Sequence, residues 1–309
     1  MSGQATRIEK IQMEDGTVKP VSVLSFRDRH DLRLVVDALL ADAPVAFHGW
    51  GVTGVCGRVD RGSHFQKFWS LKEGRAPESK IPLLEPPEEV VRHVDWEKVH
   101  AAYRYLRDPA ALRRVWRGIV PFHLIFPTRE EGDTLSEAVV TPPFDPDVAL
   151  HTPAPTACFF WIDDPALVRL VREVKGRNRE VQLGVSSLND PGQVPPFNTK
   201  DLLAYLKNRA IGKYDIVIED PVVEPVGIAS SHSQFVAPLE WEKPVWVMKR
   251  RGSLSAAGFT KRTGFPVVGA ESAKVAARQG PPELDLDAEV EECARRIRRW
   301  RFKATFQLF

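Results

Sequence analysis

Two serines, an asparagine and a glycine stand close together in the segment Ser186-Ser187-Leu188-Asn189-Asp190-Pro191-Gly192. A short apolar run that reads as a strand comes just before them, and a helical pattern follows Asn198-Thr199. The spacing predicts a polar turn that presents two hydroxyls, an amide and backbone N–H groups to one ligand, a common way to hold phosphates and a nucleotide. Alternatively, Ser187 and Asn189 only stabilise the turn through bonds to its own backbone.

The composition is that of an ordinary globular protein. The chain has 309 residues, of which 43% are hydrophobic and 27% charged, and its net charge of +2 does not by itself indicate a nucleic-acid partner. Its three cysteines include no Cys-x-x-Cys pair, which argues against a zinc site and a disulfide framework and favours a reducing, cytoplasmic location. We expect no metal site built from protein ligands. No segment resembles a signal peptide or a membrane span, so we expect no membrane contact.

Helical patterns alternate with short apolar strands along most of the chain. Two helices are predicted to begin at Asp108-Pro109 and Asp164-Pro165, with aspartate as N-cap and proline in the first turn. The alternation predicts the α/β class, with a twisted sheet of mixed parallel and antiparallel strands flanked by helices. Further helices are predicted at 31–40, at 63–72 and around Leu202, and strands at 43–47, 57–60, 122–126, 156–162, 181–185, 214–218 and 245–248.

Several segments lack a clear period. Residues 1–25 are predicted to form an N-terminal arm or hairpin, residues 127–155 a long loop or lid, and residues 253–282 a stretch of low pattern. The run Arg295–Lys303 is strongly basic, with interleaved aromatic residues in a predicted helix that Asp287 caps. It is either a solvated amphipathic helix or a contact to the backbone of RNA.

The segment Gly49-Trp50-Gly51-Val52-Thr53-Gly54 matches the dinucleotide fingerprint G-x-G-x-x-G. That fingerprint requires a helix to start inside the motif. Here the following residues, 55–59, have an extended pattern, and no helix is predicted before Ser63. A glycine-rich turn between two strands is therefore the favoured interpretation.

Five features occur in the order of the motifs of the Sua5/YrdC/YciO/YwlC family, which the chain resembles over about residues 30–255. The resemblance predicts a YrdC-like domain at 26–255, between an N-terminal arm at 1–25 and a C-terminal extension with a basic helix at 256–309. The five features are the turn at 45–54, the basic loop with Lys72, Arg75 and Lys80, the Ser187/Asn189/Gly192 motif, Ser230 and Ser231 after an acidic strand end, and Arg250 to Gly252.

The chain departs from the family pattern in the half that is associated with threonine and bicarbonate. The Pro-Thr-Asp-Thr turn is absent, His123 stands where the family usually has a threonine, and Phe160 stands where it has an arginine. The spacing between Lys72 and Arg75 is one residue longer than usual. The nucleotide half of the pattern is better kept.

The resemblance implies ATP-dependent formation of a carbamate-type acyl-adenylate, with L-threonylcarbamoyladenylate for the modification of tRNA adenosine 37 as the leading product. The substrates implied are ATP with Mg²⁺, and an amino acid with bicarbonate or carbamoyl phosphate. In-line attack on a phosphate needs charge neutralisation and alignment more than a covalent nucleophile. The residues implied to contact the nucleotide are Lys72, Arg75, Lys80, Ser187, Asn189 and Arg250, of which Lys72 and Arg75 are the catalytic pair. Those implied to contact the second substrate are His48, Trp50, Thr53, Ser186, Ser230 and Ser231.

Two alternatives remain open at this point. One is a tailoring enzyme that carries a carbamoyl or acyl group to a different acceptor. The other is a family member that binds nucleotide or RNA without catalysis, which the loss of the Pro-Thr-Asp-Thr turn favours. For the individual residues, Lys72 and Arg75 could instead complement a helix dipole, and His123 could be a hydrogen-bonded strand histidine.

Overall fold

The structure, a computed structural model, describes most of the chain between Arg7 and Val275. The described residues are 7–12, 16–49, 52–64, 66, 81–117, 122–129, 135–136, 139–141, 154–188, 196, 199–207, 215–219, 233–252 and 254–275. Among the predicted site residues, Trp50, Lys72, Arg75, Lys80, Asn189, Ser230 and Ser231 lie outside these ranges, and only the backbone of His48 is described. Most of the predicted helix at 63–72, the basic run Arg295–Lys303 and most of the predicted lid at 127–155 also lie outside.

Two of the described helices begin at the caps that the sequence indicates. Asp108 and Asp164 accept hydrogen bonds from backbone N–H groups of the first helical turn, with proline as the first helical residue in each case. The predicted helices at 31–40 and around Leu202 are also present. The helices are α1 (Arg29–Leu40), α2 (Pro87–His93), α3 (Pro109–Trp116), α4 (Pro165–Arg177), α5 (Thr199–Lys207) and α6 (Ala256–Thr263), and Ala101–Arg107 form a 3₁₀ helix.

The described strands form one large mixed sheet. Twelve of them follow the order β1-β2-β10-β3-β4-β9-β5-β8-β6-β11-β12-β13, and β7 pairs with β8 off this path. Parallel and antiparallel pairs alternate irregularly, which confirms the predicted α/β class with a mixed sheet and flanking helices. The strands are β1 (Arg7–Gln12), β2 (Val18–Leu24), β3 (Val45–Gly49), β4 (Val52–Arg58), β5 (Leu83–Leu84), β6 (Phe122–Pro127), β7 (Val140–Thr141), β8 (Thr156–Phe160), β9 (Leu183–Ser187), β10 (Ile216–Ile218), β11 (Ser233–Val236), β12 (Trp246–Arg251) and β13 (Val267–Val275).

The glycine-rich segment joins two antiparallel strands. Strands β3 and β4 pair from Val45 with Cys56 to Gly49 with Val52. No helix starts inside the motif, as the dinucleotide fingerprint would require. The interpretation as a turn between strands is therefore confirmed, although the second strand spans Val52–Arg58 rather than 57–60.

An aromatic core covers one face of the sheet on the β6–β11–β12 side. The Phe235 ring stacks on Phe259 of α6, with centroids 3.9 Å apart, and Trp246 stacks on Phe265 at 5.4 Å. Tyr103 of the 3₁₀ helix meets Trp246 edge to face at 5.6 Å. Because side chains alternate along a strand, Gln234 lies on the face opposite Phe235, and its register partners His123 and Arg250 lie on that face with it.

Three expectations need correction. Strand β9 continues to Ser187, so Ser186 and Ser187 belong to a strand and not to the turn, because both pair with β4. Strand β11 was not predicted. The stretch from 253, expected to lack pattern, contains α6 and the nine-residue strand β13, which extends the sheet beside β12. None of the helices in the described ranges is both long and apolar enough to cross a bilayer.

Candidate functional site

The predicted hydroxyl motif lies beside the predicted glycine-rich turn. Gly54 of β4 is the register partner of Ser187 on β9, and His48 of β3 is the partner of Thr53. The backbone N–H of Leu188 donates to the carbonyl of Thr53 at 2.9 Å, and the N–H of Thr53 donates to the carbonyl of Pro196 at 3.0 Å. These bonds fix the two segments to each other at one end of the sheet.

The two serines do not face the same ligand. Consecutive strand residues point to opposite faces, so the Ser187 hydroxyl lies on one face and that of Ser186 on the other. Thr53 lies on the Ser186 face and is fully buried, with 0% exposure. This differs from the expectation that both hydroxyls meet one ligand, and the cause is the extension of β9.

A second group of side chains forms a lateral row on the Ser187 face. Phe160 pairs with His123, His123 with Gln234, and Gln234 with Arg250, across strands β8, β6, β11 and β12. His123 Nδ1 lies 3.5 Å from Gln234 Nε2, and the His123 ring meets Phe160 edge to face at 5.2 Å. His123 is only 5% exposed. We call Phe160, His123, Gln234 and Arg250 the polar row.

A bulge on β12 adds a lysine to this face. Gln234 pairs with Arg250 but Phe235 pairs with Met248, so Lys249 is the extra residue. A bulge of this kind re-aims side chains locally. Burial raises the pKa of the Cys158 thiol of β8 to about 12, so it is a neutral thiol at physiological pH, although the positive charges of Lys249 and Arg250 act on that pKa in the opposite direction.

Arg250 is half-buried, and no carboxylate in the described part of the chain forms an ion pair with it. Burial lowers the pKa of its guanidinium from the ordinary value. A desolvated charge is costly unless an opposite charge lies beside it, and a bound anion would offset that cost. The arrangement is therefore suited to a carboxylate or phosphate.

Ser187 and Arg250 share a face but are not neighbours. Strands β5, β8, β6 and β11 separate β9 from β12, which is roughly 24 Å along the sheet at about 4.8 Å per strand. The predicted meeting of these two residues with the basic loop around one cavity stays a prediction, because Lys72, Arg75 and Lys80 lie outside the described residues.

The sequence interpretation assigned no role to Gln234 or Lys249. Lys249 was visible in the basic run Lys249-Arg250-Arg251, but the bulge at this residue depends on pairing with β11. Gln234 gave no signal, because one glutamine in a four-residue strand has no distinctive spacing. The alternative for His123, a hydrogen-bonded strand histidine, agrees with its burial and its contact with Gln234.

Comparison with known proteins shows similarity of fold. The chain is similar to P. abyssi Sua5 complexed with L-threonine, with a TM-score of 0.53 and 16% identity over 81% of this chain and 64% of that one. A variant of P. abyssi Sua5 that carries two alanine substitutions gives a TM-score of 0.54 and 17% identity over 80% of this chain and 65% of that one. E. coli YciO matches with a TM-score of 0.49 and 11% identity over 74% of this chain and 92% of that one.

The chain spans just under two thirds of the length of those Sua5 chains. No family model and no curated protein matches its sequence. At this level of identity the similarity establishes that the chain has a Sua5/YrdC-like fold, which agrees with the expected fold class.

Proposed function

We propose that this chain binds ATP with Mg²⁺ and forms an acyl-adenylate of the carbamate type. A carbamate oxygen attacks the α-phosphorus of ATP, a new P–O bond forms, and the bond to the β-phosphate breaks, so that pyrophosphate leaves with the electron pair. With an amino acid, the carbamate arises from its amine and bicarbonate with loss of water. With carbamoyl phosphate, water cleaves the linkage between the carbamoyl and phosphate groups, so that carbamate forms and inorganic phosphate leaves. The leading product is L-threonylcarbamoyladenylate, which would serve the modification of tRNA adenosine 37.

One observation carries the proposal most directly. Arg250 is a half-buried cation with no described carboxylate partner, on the same sheet face as the Ser187 hydroxyl, in a chain with a Sua5-like fold. Hydroxyls, backbone N–H groups and guanidinium groups are the donors that stabilise charge on a phosphate during transfer. We assign Lys72, Arg75, Lys80, Ser187 and Asn189 to the nucleotide and keep Lys72 and Arg75 as the catalytic pair, on the resemblance of their motifs.

The full-length protein, ATP and Mg²⁺ test the proposal by pyrophosphate release. One set of reactions supplies bicarbonate with each amino acid, a second supplies carbamoyl phosphate, and a third omits both. We expect release only when a second substrate is present, with an adenylate of matching mass by mass spectrometry. Absence of release under every condition would exclude the proposed reaction, and the variant K72A should abolish any release found.

The second candidate function is a tailoring enzyme that transfers the carbamoyl or acyl group to an acceptor other than threonine. Phe160, where the family pattern has an arginine, is fully buried against His123, where the pattern has a threonine. These side chains favour an acceptor other than threonine. Restoration of the tRNA modification in cells that lack it would select threonine, and an adenylate formed with another amine in vitro would select the tailoring activity.

RNA is a further proposed partner of the same enzyme, and we assign its contact to the basic run Arg295–Lys303. Neutralising four of its arginines should weaken the binding of tRNA and leave pyrophosphate release unchanged, because we assign the chemistry to other residues. Unchanged tRNA affinity would leave the solvated helix as its interpretation.

A further inference from the structure

Two cations on one bulged strand are the starting observation. Because Gln234 pairs with Arg250 and Phe235 with Met248, Lys249 and Arg250 fall together at the bulge, and both act on Cys158 across the sheet. A regular strand would turn consecutive side chains to opposite faces. The bulge thus concentrates two positive charges on the face that carries the polar row.

The surroundings of these cations resemble a small-ligand site. Ile125 of β6 and Val236 of β11 are register partners on this face, each 7% exposed, and Cys158 pairs with Ile125 on the other side. His123 and Gln234 supply polar groups at the next row. A mostly apolar floor with a few convergent polar groups is typical of a pocket for a small molecule.

The position of this site separates it from the predicted nucleotide motif. Leu83 of β5 pairs with Phe159 of β8 on one side and with Gly184 of β9 on the other. The polar row begins at Phe160, next to Phe159, so its continuation across the sheet reaches β9 close to Gly184 and not at Ser187. Together with the roughly 24 Å between β9 and β12 along the sheet, this leads us to expect that Ser187 and Arg250 contact different groups or different molecules.

We propose that Lys249 and Arg250 bind the anionic group of the second substrate, with His123 and Gln234 of the polar row contacting its other polar atoms. This deepens the proposed function and rests on it, and it reassigns Arg250 from the nucleotide to the second substrate. The anionic group is the carboxylate of an amino acid or the phosphate of carbamoyl phosphate. The two cations that bind this group, Lys249 and Arg250, both lie on β12, at the opposite end of the polar row from Phe160.

The first experiment compares R250Q, R250K and K249Q/R250Q with wild type and with K261Q, which removes an exposed charge from α6 as a control. The KM of each second substrate is measured at saturating ATP, and the affinity for a non-hydrolysable ATP analogue is measured by calorimetry. We expect R250Q to raise the KM of the second substrate at least 10-fold and the double variant further. R250K should recover part of the loss, and the analogue should bind all variants within twofold of wild type.

The substrate that responds identifies the source of the anion. A raised KM for amino acids alone indicates a carboxylate, and a raised KM for carbamoyl phosphate indicates a phosphate. A loss of analogue binding of 10-fold or more with unchanged KM would overturn the reassignment, and so would variants that match wild type in both measurements.

A binding experiment keeps this inference separate from the proposed reaction. Inorganic phosphate and acetate are titrated into wild type, R250Q and K261Q without nucleotide, and protection against thermal unfolding is followed. We expect one of the two anions to protect wild type and K261Q but not R250Q. Such protection without pyrophosphate release would retain the anion site and reject the reaction, whereas equal protection of all three proteins would reject the site.

Discussion

Gly54 of β4 lies so close to Ser186 of β9 that a Cβ on the glycine would stand 2.8 Å from the Ser186 carbonyl oxygen. It would also stand 3.1 Å from Cε1 of Phe47. Neither neighbour can move freely, because one is backbone and the other is a buried ring. The absence of a side chain at residue 54 therefore allows the end of β9, with Ser187, to pair with β4.

The variant G54A tests this contact. We expect a loss of about 1–3 kcal/mol in the free energy of unfolding, because overpacking must displace a strand, together with weaker binding of an ATP analogue. The control is G176A in α4, where no atom beyond the adjacent residues and the helix's own backbone lies within 4 Å of the added Cβ. That variant should gain roughly 0.5–1 kcal/mol from helix propensity, and urea denaturation measures both. Equal stability of G54A and wild type would mean that β9 adjusts freely.

The opposite orientation of the two serines predicts a difference in ligand binding. S187A removes a hydroxyl from the face that carries Arg250, and S186A removes one from the other face. We expect S187A to raise the dissociation constant for ATP about 10-fold, which corresponds to about 1.4 kcal/mol for a hydrogen bond to a charged group. S186A should change it less than twofold. Calorimetric titration distinguishes them, and the reverse order would place the nucleotide on the other face.

Ser233 fixes the chain that follows the bulge. Its buried hydroxyl accepts from the N–H groups of Gly252 at 2.9 Å and Leu254 at 3.0 Å, and donates to the Leu254 carbonyl at 2.5 Å. In S233A these backbone groups lose their partner inside the protein, so we expect a loss of about 2–4 kcal/mol. The KM of the second substrate should rise as β12 loosens.

The matched control for Ser233 is S25A. The Ser25 hydroxyl accepts one exposed bond from Arg27 at 3.2 Å, so its removal should cost less than about 0.5 kcal/mol. Chemical denaturation and steady-state kinetics check both variants. If S233A were as stable as S25A, the hydroxyl would not be what holds this segment.

A buried ion pair joins the residue that follows β5 to helix α4. Lys175 Nζ lies 2.7 Å from Oε1 of Glu85, whose side chain is 0% exposed. K175M should cost about 3–5 kcal/mol, because it leaves a buried carboxylate without its cation, and E85Q/K175M should recover most of that loss. Urea denaturation of the two variants measures the difference. If the double variant were no more stable than K175M, the cost would come from packing and not from charge.

The same carboxylate predicts a pH dependence. Burial raises the pKa of Glu85 above its ordinary value of 4.5, although Lys175 acts in the opposite direction. The folded protein then binds this proton more tightly than the unfolded chain. The group's stabilising contribution is present below about pH 4.5 and is lost as the pH rises through the folded-state pKa. The free energy of unfolding of wild type minus that of E85Q should therefore fall as pH increases, and a rise would contradict the raised pKa.

The sequence predicted the elements whose signals are local. Asp108-Pro109 and Asp164-Pro165 contain a cap and a helix start in two residues, and the antiparallel β3–β4 pair follows from an extended pattern around glycines. The helix α6 was missed although Ser255 caps its start and Gly264 ends it in the left-handed conformation. These two capping signals were present in the sequence, but the helix between them is short and has no clear apolar period, so its pattern did not predict a helix.

The features of the candidate site that were missed depend on pairing between distant strands. Ser186 and Ser187 remain extended because β4 binds them, and polar residues of this kind favour a turn when considered alone. The bulge at Lys249 exists only relative to β11, whose sequence Ser233-Gln234-Phe235-Val236 is too short to give a period. Register of this kind is decided by tertiary contacts.

Strand β10 lies between β2 and β3, although most of the chain's length separates it from them in sequence. During synthesis on the ribosome, the N-terminal hairpin and β3 therefore have no bridging partner until residues 216–218 emerge. Contacts so distant along the chain slow folding and leave early strands exposed. Co-translational folding should thus be late, and two halves expressed as separate polypeptides should each require the other.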